Sequence, residues 1–403
     1  MATIQNINKD WIYVGANNRR LKLFENIYPI PRGVSYNSYL LIDDKTVLMD
    51  TCDASVQTEF LNNISTALNG RALDYLVIQH MEPDHCALIV EILKSYPQIQ
   101  LVCNAKTLTM IRQFFDLDVT DKTLLVKEGD KLETGHHTLS FIMAPMVHWP
   151  EVMMTYDATD KILFSADAFG SFNAIDGNLF ADEVDYEREW LPDMRRYYAN
   201  IVGKYGAPVQ TVLKKAANLD IQTICPLHGL IWRKNLTWLL DKHQKWSTYT
   251  PEEKGVVIAC GSIYGHTEEV ANLLAFKLAQ HGINNIRVYD VSRTHPSWIV
   301  SESFRVSHLV FACSSYNAGI FPPMETALLD IKAHALCNRT VALIENGSWA
   351  LCAKAQMKAI LETLKGITFI GEGISIRSAM KPDQEKELDL MADELAKSLK
   401  DQK

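Results

Sequence analysis

Four residues able to bind a metal fall within six positions at His80-Met81-Glu82-Pro83-Asp84-His85. They follow the apolar run DYLVIQ and precede a helical pattern, so they occupy a turn at a strand end, which Pro83 stiffens by fixing one φ. Three more ligand types stand in the same kind of place. His148 follows SFIMAPMV, Asp167 follows ILFSA, and His228 closes CPLHG after the strand-like IQTIC. Strand ends on a rigid scaffold are where side chains are presented with precision. Together the seven supply four imidazoles, three carboxylates and no thiolate. A borderline-hard nitrogen and oxygen set suits iron, manganese or zinc. Seven ligands exceed the needs of one ion. They fit two ions that share a carboxylate, which in two-metal sites lie roughly 3.5–4 Å apart.

A second constellation has the chemistry of an anion cradle. Ser262-Ile263-Tyr264-Gly265-His266-Thr267 lies between a strand-like run, GVVIAC, and a helical one. Exposed N–H groups at a helix N-terminus bind phosphate without a cationic side chain. Ser262 and Thr267 add hydroxyl donors, and Gly265 lets the backbone turn tightly. Two further loops of small and polar residues follow later strands: Ser314-Ser315-Tyr316-Asn317-Ala318-Gly319, and Asn346-Gly347-Ser348-Trp349.

The elements that position these residues divide the 403-residue chain into two rhythms. From Gly255 onward, five β-branched runs alternate with helical stretches, which predicts an open, doubly wound, five-stranded parallel sheet covered on both faces. If the strand order is the flavodoxin one, all three small-residue loops meet at its carboxyl edge. The first half has strand signals in runs: a hairpin over SYNSYLLID-DK-TVLMDT, then TLSFIMA, EVMMTYD and KILFSAD. Helices are interspersed, one of them over 186–218. Two sheets with helices outside, an αββα sandwich, accommodate this pattern. The polar stretch STYTPEE at 248–254 marks the boundary, giving domains 1–250 and 251–403.

Hydrophobic residues make up 47% of the chain, enough for two packed cores, yet no run reaches the roughly 18 apolar residues of a membrane span. The N-terminus has no basic segment followed by an apolar one, so no secretory signal is expected. A net charge of −8 with signs intermixed argues against a nucleic-acid surface. The eight cysteines form no CxxC pair and sit mostly in apolar runs, as buried thiols do. A cytoplasmic enzyme fits these features.

The run at 80–85 resembles the HxHxDH signature of the metallo-β-lactamase superfamily with Glu82 in place of the second histidine, the mark of the flavodiiron proteins. His148, Asp167 and His228 stand at the intervals of that family, and 262–267 is similar to the flavodoxin phosphate loop, so the resemblance spans nearly the whole chain. It implies a metallo-β-lactamase-like diiron domain followed by a flavodoxin-like FMN domain. One iron would take His80, Glu82 and His148, the other Asp84, His85 and His228, with Asp167 bridging. His85 is the ligand that some members of the family leave uncoordinated. The small loop residues would let the flavin ring approach, and Tyr316 or Trp349 would stack on it. Asp50 resembles an outer-sphere aspartate that orients a ligand imidazole. Tyr28, Tyr36 and Trp149 are candidate pocket residues. Cys86-Ala87 stands where Ser-Gly is common, Glu151 where Asp is, Leu227 where Ser is, and His266 where Asn is.

The activity so implied is reduction of dioxygen to water, of nitric oxide to nitrous oxide, or both. Dioxygen takes four electrons and a pair of nitric oxide molecules takes two, so irons and flavin on one chain are self-consistent. The chain ends at Lys403 without a cysteine-rich rubredoxin module, so the expected donor is a separate rubredoxin. The family also implies a head-to-tail homodimer or a dimer of dimers. Two other classes compete. A zinc hydrolase of the superfamily with an accessory flavin domain is disfavoured by Glu82, and a flavin electron carrier fused to a structural domain would consume neither gas.

Overall fold

The computed structural model describes residues 2–401, which form two compact units. The first comprises residues up to Tyr198 and Ala207–His243. The second comprises Ala199–Gly206 and Gln244 onward.

Two sheets build the first unit. In one, the strands Tyr39–Leu41 and Val47–Met49 pair as the expected hairpin. Beyond it Tyr75–Val77, Gln100–Cys103 and Thr123–Leu125 add in parallel. The sheet is therefore mixed rather than a simple meander, because the helices Gln57–Leu68 and Ala105–Phe114 serve as crossovers. The other sheet runs Lys131–Glu133, Thr138–Met143, Met153–Asp157 and Ile162–Phe164 antiparallel, then Thr223–Cys225 in parallel. Trp11 and Tyr39 from the first sheet meet Phe164 of the second at ring distances of 4.3 and 5.3 Å. All three are fully buried, and truncating such a ring costs about 3–5 kcal/mol.

The helix expected over 186–218 is broken. It consists of Tyr186–Glu189, Leu191–Tyr197, a π turn at Tyr198–Val202, a short turn at Gly203–Tyr205 and Gly206–Ala216. The break lets Ala199–Gly206 pack with the second unit.

The second unit is a parallel sheet in the order Ile286–Asp290, Glu253–Gly261, Val306–Tyr316, Arg339–Asn346, Ile367–Phe369, the flavodoxin order 2-1-3-4-5. Helices His266–Gln280 and Glu385–Asp401 cover one face with Val270, Leu274, Leu388 and Leu395, on strand residues such as Ile258 and Val310. The fifth strand is interrupted. Ile367–Phe369 and Ile374–Ile376 both pair with Arg339–Asn346, and Gly371 and Gly373 between them adopt positive φ. Among the described residues no helix is long and apolar enough to cross a membrane.

Candidate functional site

Four strands that end at one rim of the sandwich lead to polar side chains there. Val47–Met49 delivers Asp50, Tyr75–Val77 leads to His80, Ile162–Phe164 to Asp167, and Thr223–Cys225 to His228. Pro83 opens the one-turn helix Pro83–Cys86, which carries Asp84 and His85 inward. His148 lies on the loop between Thr138–Met143 and Met153–Asp157. Asp50 and Ala166, beside Asp167, are both left-handed, at φ +55 and +49, strain that clusters where geometry is dictated by function.

The seven residues converge as two groups, His80, Glu82, His148 and Asp167 in one, and Asp84, His85 and His228 in the other. Asp167 joins them. Its Oδ2 lies 3.3 Å from His80 Nε2 and 3.1 Å from His148 Nε2, and its Oδ1 lies 3.2 Å from His85 Nε2 and 3.7 Å from His228 Nε2. Glu82 Oε2 faces His80 and His148 at 3.3 and 3.1 Å, and Asp84 Oδ2 faces His228 at 3.2 Å. His85 shares this geometry fully, with its Nε2 3.1 Å from that of His228.

This donor set fits a pair of metal ions. Both oxygens of Asp84 and Oδ1 of Asp167 are buried without a hydrogen bond, a costly state that coordination relieves. The titration of the cluster points the same way. Burial opposes the charged ring of His85, yet Asp84 and Asp167 outweigh it and push it up to about 9. Burial likewise opposes His148, and Asp167 and Glu82 push it up to about 9. Burial would raise Asp167, but His85 and His148 hold it well below the carboxylate range. Protons on imidazoles here occupy the places where cations satisfy the same carboxylates.

Outer contacts fix these ligands. Glu151 Oε1 accepts from His80 Nδ1 at 2.8 Å and from the Met81 N–H at 2.9 Å. The carbonyl of Ser35 accepts from His228 Nδ1 at 2.7 Å. Each ring is thereby left with Nε2 facing the centre. Asp50 does not touch an imidazole nitrogen. It accepts from the backbone of Gln79 and His80 and from the Gln79 amide, so it shapes the turn rather than a ligand ring. Burial pushes its carboxyl up to about 6 against those bonds. Cys86 and Leu227 are buried packing residues, and the Cys86 thiol donates to the Met81 carbonyl.

Of the candidate pocket residues, Trp149 sits edge-on to His80 at 5.4 Å and Tyr36 to His228 at 5.9 Å. Tyr28 packs on Phe172 instead, 6.2 Å away. Two residues not singled out from the sequence also belong here. The Tyr197 ring lies 5.6 Å from His228, and its buried hydroxyl has no partner. Burial and the surrounding carboxylates Asp167, Glu82 and Asp84 keep that hydroxyl strongly protonated. Glu25, in left-handed backbone, is exposed as a residue, but its carboxyl lies against Glu82. Burial of that end and the like charge push it up to about 8. An aromatic inside a helical run and an acid in a turn carry no sequence signal for either role.

In the second unit the three loops gather at the carboxyl ends of Glu253–Gly261, Val306–Tyr316 and Arg339–Asn346. Gly265, at φ +98, precedes helix His266–Gln280, and its N–H is donated to Ser262 Oγ at 3.0 Å. Thr267 and Ser314 hydroxyls are 2.9 Å apart. Gln356 donates to the Ala318 carbonyl, which fixes the turn through Asn317 to Gly319. His266 points to Glu269 at 3.2 Å rather than across the cradle. Tyr264 and Trp349 are 91% and 77% exposed and Tyr316 44%, large rings at a loop edge that a planar ligand would cover. Ile263 is exposed beside them. A fourth segment joins the edge: Asn346 donates to the Ser378 carbonyl, and Ser378 bonds Ser348 at 3.0 Å. The donor-rich helix start and the uncovered rings suit a flavin phosphate.

Comparison with known proteins agrees with both halves. Residues 34–229 match the family model described as ODP family beta lactamase. The anaerobic nitric oxide reductase flavorubredoxin of Escherichia coli is 28% identical over 390 residues, which cover 96% of this chain and 79% of that protein. The rubredoxin oxygen:oxidoreductase of Desulfovibrio gigas superposes with a TM-score of 0.92 at 26% identity, over 99% of both chains. The flavodiiron protein of Giardia intestinalis has the same fold, with a TM-score of 0.93 at 23% identity over 99% of this chain and 97% of that one.

Proposed function

On the premise that the chain is a flavodiiron protein, we propose that it is an oxidoreductase that reduces dioxygen to water, nitric oxide to nitrous oxide, or both. The observation that carries this reading is the double convergence on Asp167, with one of its oxygens turned to each ligand group. In this proposal His80, Glu82 and His148 hold one iron, Asp84, His85 and His228 the other, and Asp167 bridges. The loops 262–267, 314–319 and 346–349 hold FMN. When bound, the irons and the flavin together supply the four electrons that dioxygen needs or the two that a nitric oxide pair needs.

The protein's own residues set the conditions. Glu151 and the Ser35 carbonyl hold His80 and His228 with Nε2 inward, so the pocket is shaped before a gas enters. Trp149, Tyr36 and Tyr197 line the ligands with ring surface, which restricts water. The Tyr197 O–H is a buried donor with nothing else to bond, suited to a developing negative oxygen.

A rubredoxin-type donor is supported by the relatives' names and is assigned here as the external electron source. Domains 1–250 and 251–403, a cytoplasmic location and a head-to-tail homodimer belong to the same proposal. Light scattering tests the last point, and a monomer with full turnover overturns it. Anaerobic stopped-flow of the reduced protein against each gas separately tests the function. Protein carrying two irons and FMN per chain that consumes neither gas overturns the proposal. The hydrolase reading has no observation in its favour, since Glu82 takes the second histidine's place within the ligand group.

A further inference from the structure

The strands that point at the diiron pocket have an opposite end, and a second set of ligand types meets there. His137 precedes Thr138–Met143, Asp157 ends Met153–Asp157, Asp160 lies in the turn to Ile162–Phe164, and Asp10 precedes Trp11–Tyr13 of the other sheet. His137 Nε2 is 3.0 Å from Asp10 Oδ2, and one oxygen each of Asp10 and Asp160 lies with a ring nitrogen of His137 inside a 4.8 Å cluster. The mechanism uses none of these residues.

The imidazole distinguishes this cluster from a solvated acidic patch. His137 is fully buried, and so is Asp157 behind it. Asp157 Oδ2 accepts from His137 Nδ1 at 2.8 Å and from Trp11 Nε1 at 2.9 Å, while Oδ1 accepts from the Thr159 N–H. The buried carboxylate therefore holds the Nδ1–H and turns Nε2 to Asp10; against burial, Asp157 and Asp10 push the ring up to about 9, so a positive charge is what this place is built to hold. Lone pair against carboxylate is repulsive unless a positive charge sits between them. A proton there bonds Asp10 and leaves Asp160 with only the Asn8 amide, at 2.7 Å. A cation satisfies all three at once, and carboxylate-imidazole-cation is the arrangement in which an outer acid orients a metal-binding histidine.

We propose that His137 Nε2, Asp10 and Asp160 form an accessory site for a divalent first-row cation, best matched by zinc, that ties the start of strand Trp11–Tyr13 in one sheet to the second sheet. Zinc bonds of about 2.0–2.2 Å separate tetrahedral ligand atoms by about 3.3–3.5 Å, so the 3.0 Å pair needs to open by only a few tenths of an ångström. Water completes the shell on the open side, where Asp10 and Asp160 are part-exposed. Lys9 Nζ, 3.3 Å from Asp10 and 70% exposed, is free to swing into solvent as the cation enters.

Zn2+ titration of the iron- and FMN-loaded protein tests this, with metal counted per chain after removal of free ion. The wild type is expected to retain one more equivalent of zinc than Asp160→Asn and His137→Gln, with iron content and gas turnover of Asp160→Asn unchanged. Asp160→Asn keeps a side-chain oxygen for Asn8 and leaves the buried pair intact, so it folds even if His137→Gln does not. Zinc should raise the unfolding midpoint of the wild type and not of Asp160→Asn, and zinc-edge anomalous diffraction should place an ion at His137 Nε2. Equal zinc retention by wild type and Asp160→Asn, or an imidazolium N–H at His137 persisting in excess zinc, overturns the proposal.

Discussion

Glu151→Gln is the most informative single change at the diiron pocket. Glu151 is 1% exposed, and one oxygen, Oε1, accepts from both His80 Nδ1 at 2.8 Å and the Met81 N–H at 2.9 Å. Glutamine preserves that acceptor and the side-chain length but removes the charge. A hydrogen bond to an ionised group contributes about 1.5–3 kcal/mol and a neutral one about 0.5–1.5, so the change weakens the hold on His80 by roughly 1–1.5 kcal/mol. Since about 1.4 kcal/mol is a factor of ten, iron affinity should fall about tenfold, within the 10–100-fold range of outer-sphere ligand mutations. The loss should be local, because Glu151 bonds His80, a member of the first ligand group and not of the Asp84, His85 and His228 group. The new amide N–H2 also replaces Oε2, a buried atom without a partner, which costs about 1–3 kcal/mol of folding stability. The assay is iron retained per chain after graded chelator challenge, with Mössbauer spectra distinguishing the two irons. Equal stripping of both, or retention matching the wild type, refutes the idea that Glu151 acts through His80.

Tyr197→Phe removes a hydroxyl that bonds nothing, so thermal stability should stay level or rise by up to about 1 kcal/mol while gas turnover falls at unchanged iron content; unchanged turnover removes its role as donor. Gly265→Ala meets no atom within 4 Å but forces a side chain to φ +98, a strain of about 1–2 kcal/mol on the phosphate loop, so FMN affinity measured by fluorescence quenching should drop about tenfold with iron content intact. His308 is fully buried, and burial lowers it to about 4 from an unfolded value near 6.5. The unfolded chain therefore binds the proton first. Stability of the second unit should be full above pH 6.5 and fall by about 2–3 kcal/mol toward pH 4, read by urea midpoints, with the slope flattened in His308→Asn.

The ligand set was legible because imidazole and carboxylate at strand ends have few reasons to be there except chemistry, and because four of the seven stand within six positions. What orders them was not. Glu151 stands 71 positions from His80, and the resemblance marks it only as a glutamate where aspartate is common; that it holds His80 Nδ1 follows from the fold, which lays its loop onto the rim. Tyr197 lay within a stretch read as one helix, whereas its helix ends there in a π turn, and packing rather than periodicity fixes where its hydroxyl points. The alternation of strands and helices implies a doubly wound parallel sheet, and its flavodoxin order follows only from the resemblance of 262–267 to a phosphate loop; Ser378 carries no sequence signal, because Gly371 and Gly373 interrupt a strand that resumes at Ile374–Ile376.

The same contrast separates the two cofactor sites physically. At the diiron pocket the charged groups are already desolvated, and the oxygens of Asp84 and Oδ1 of Asp167 are buried without a hydrogen bond, a state that coordination relieves. Local folding and metal binding there draw on one free energy. At the flavin edge the polar groups already bond one another, as Thr267 does Ser314 and Ser348 does Ser378, and the large rings lie in solvent. That unit keeps its hydrophobic core of Ile258, Val310, Leu274 and Leu395 whether or not a ring covers Tyr264 and Trp349. The first unit is thus built around its ligand set, and the second presents a finished sheet to which its cofactor is added.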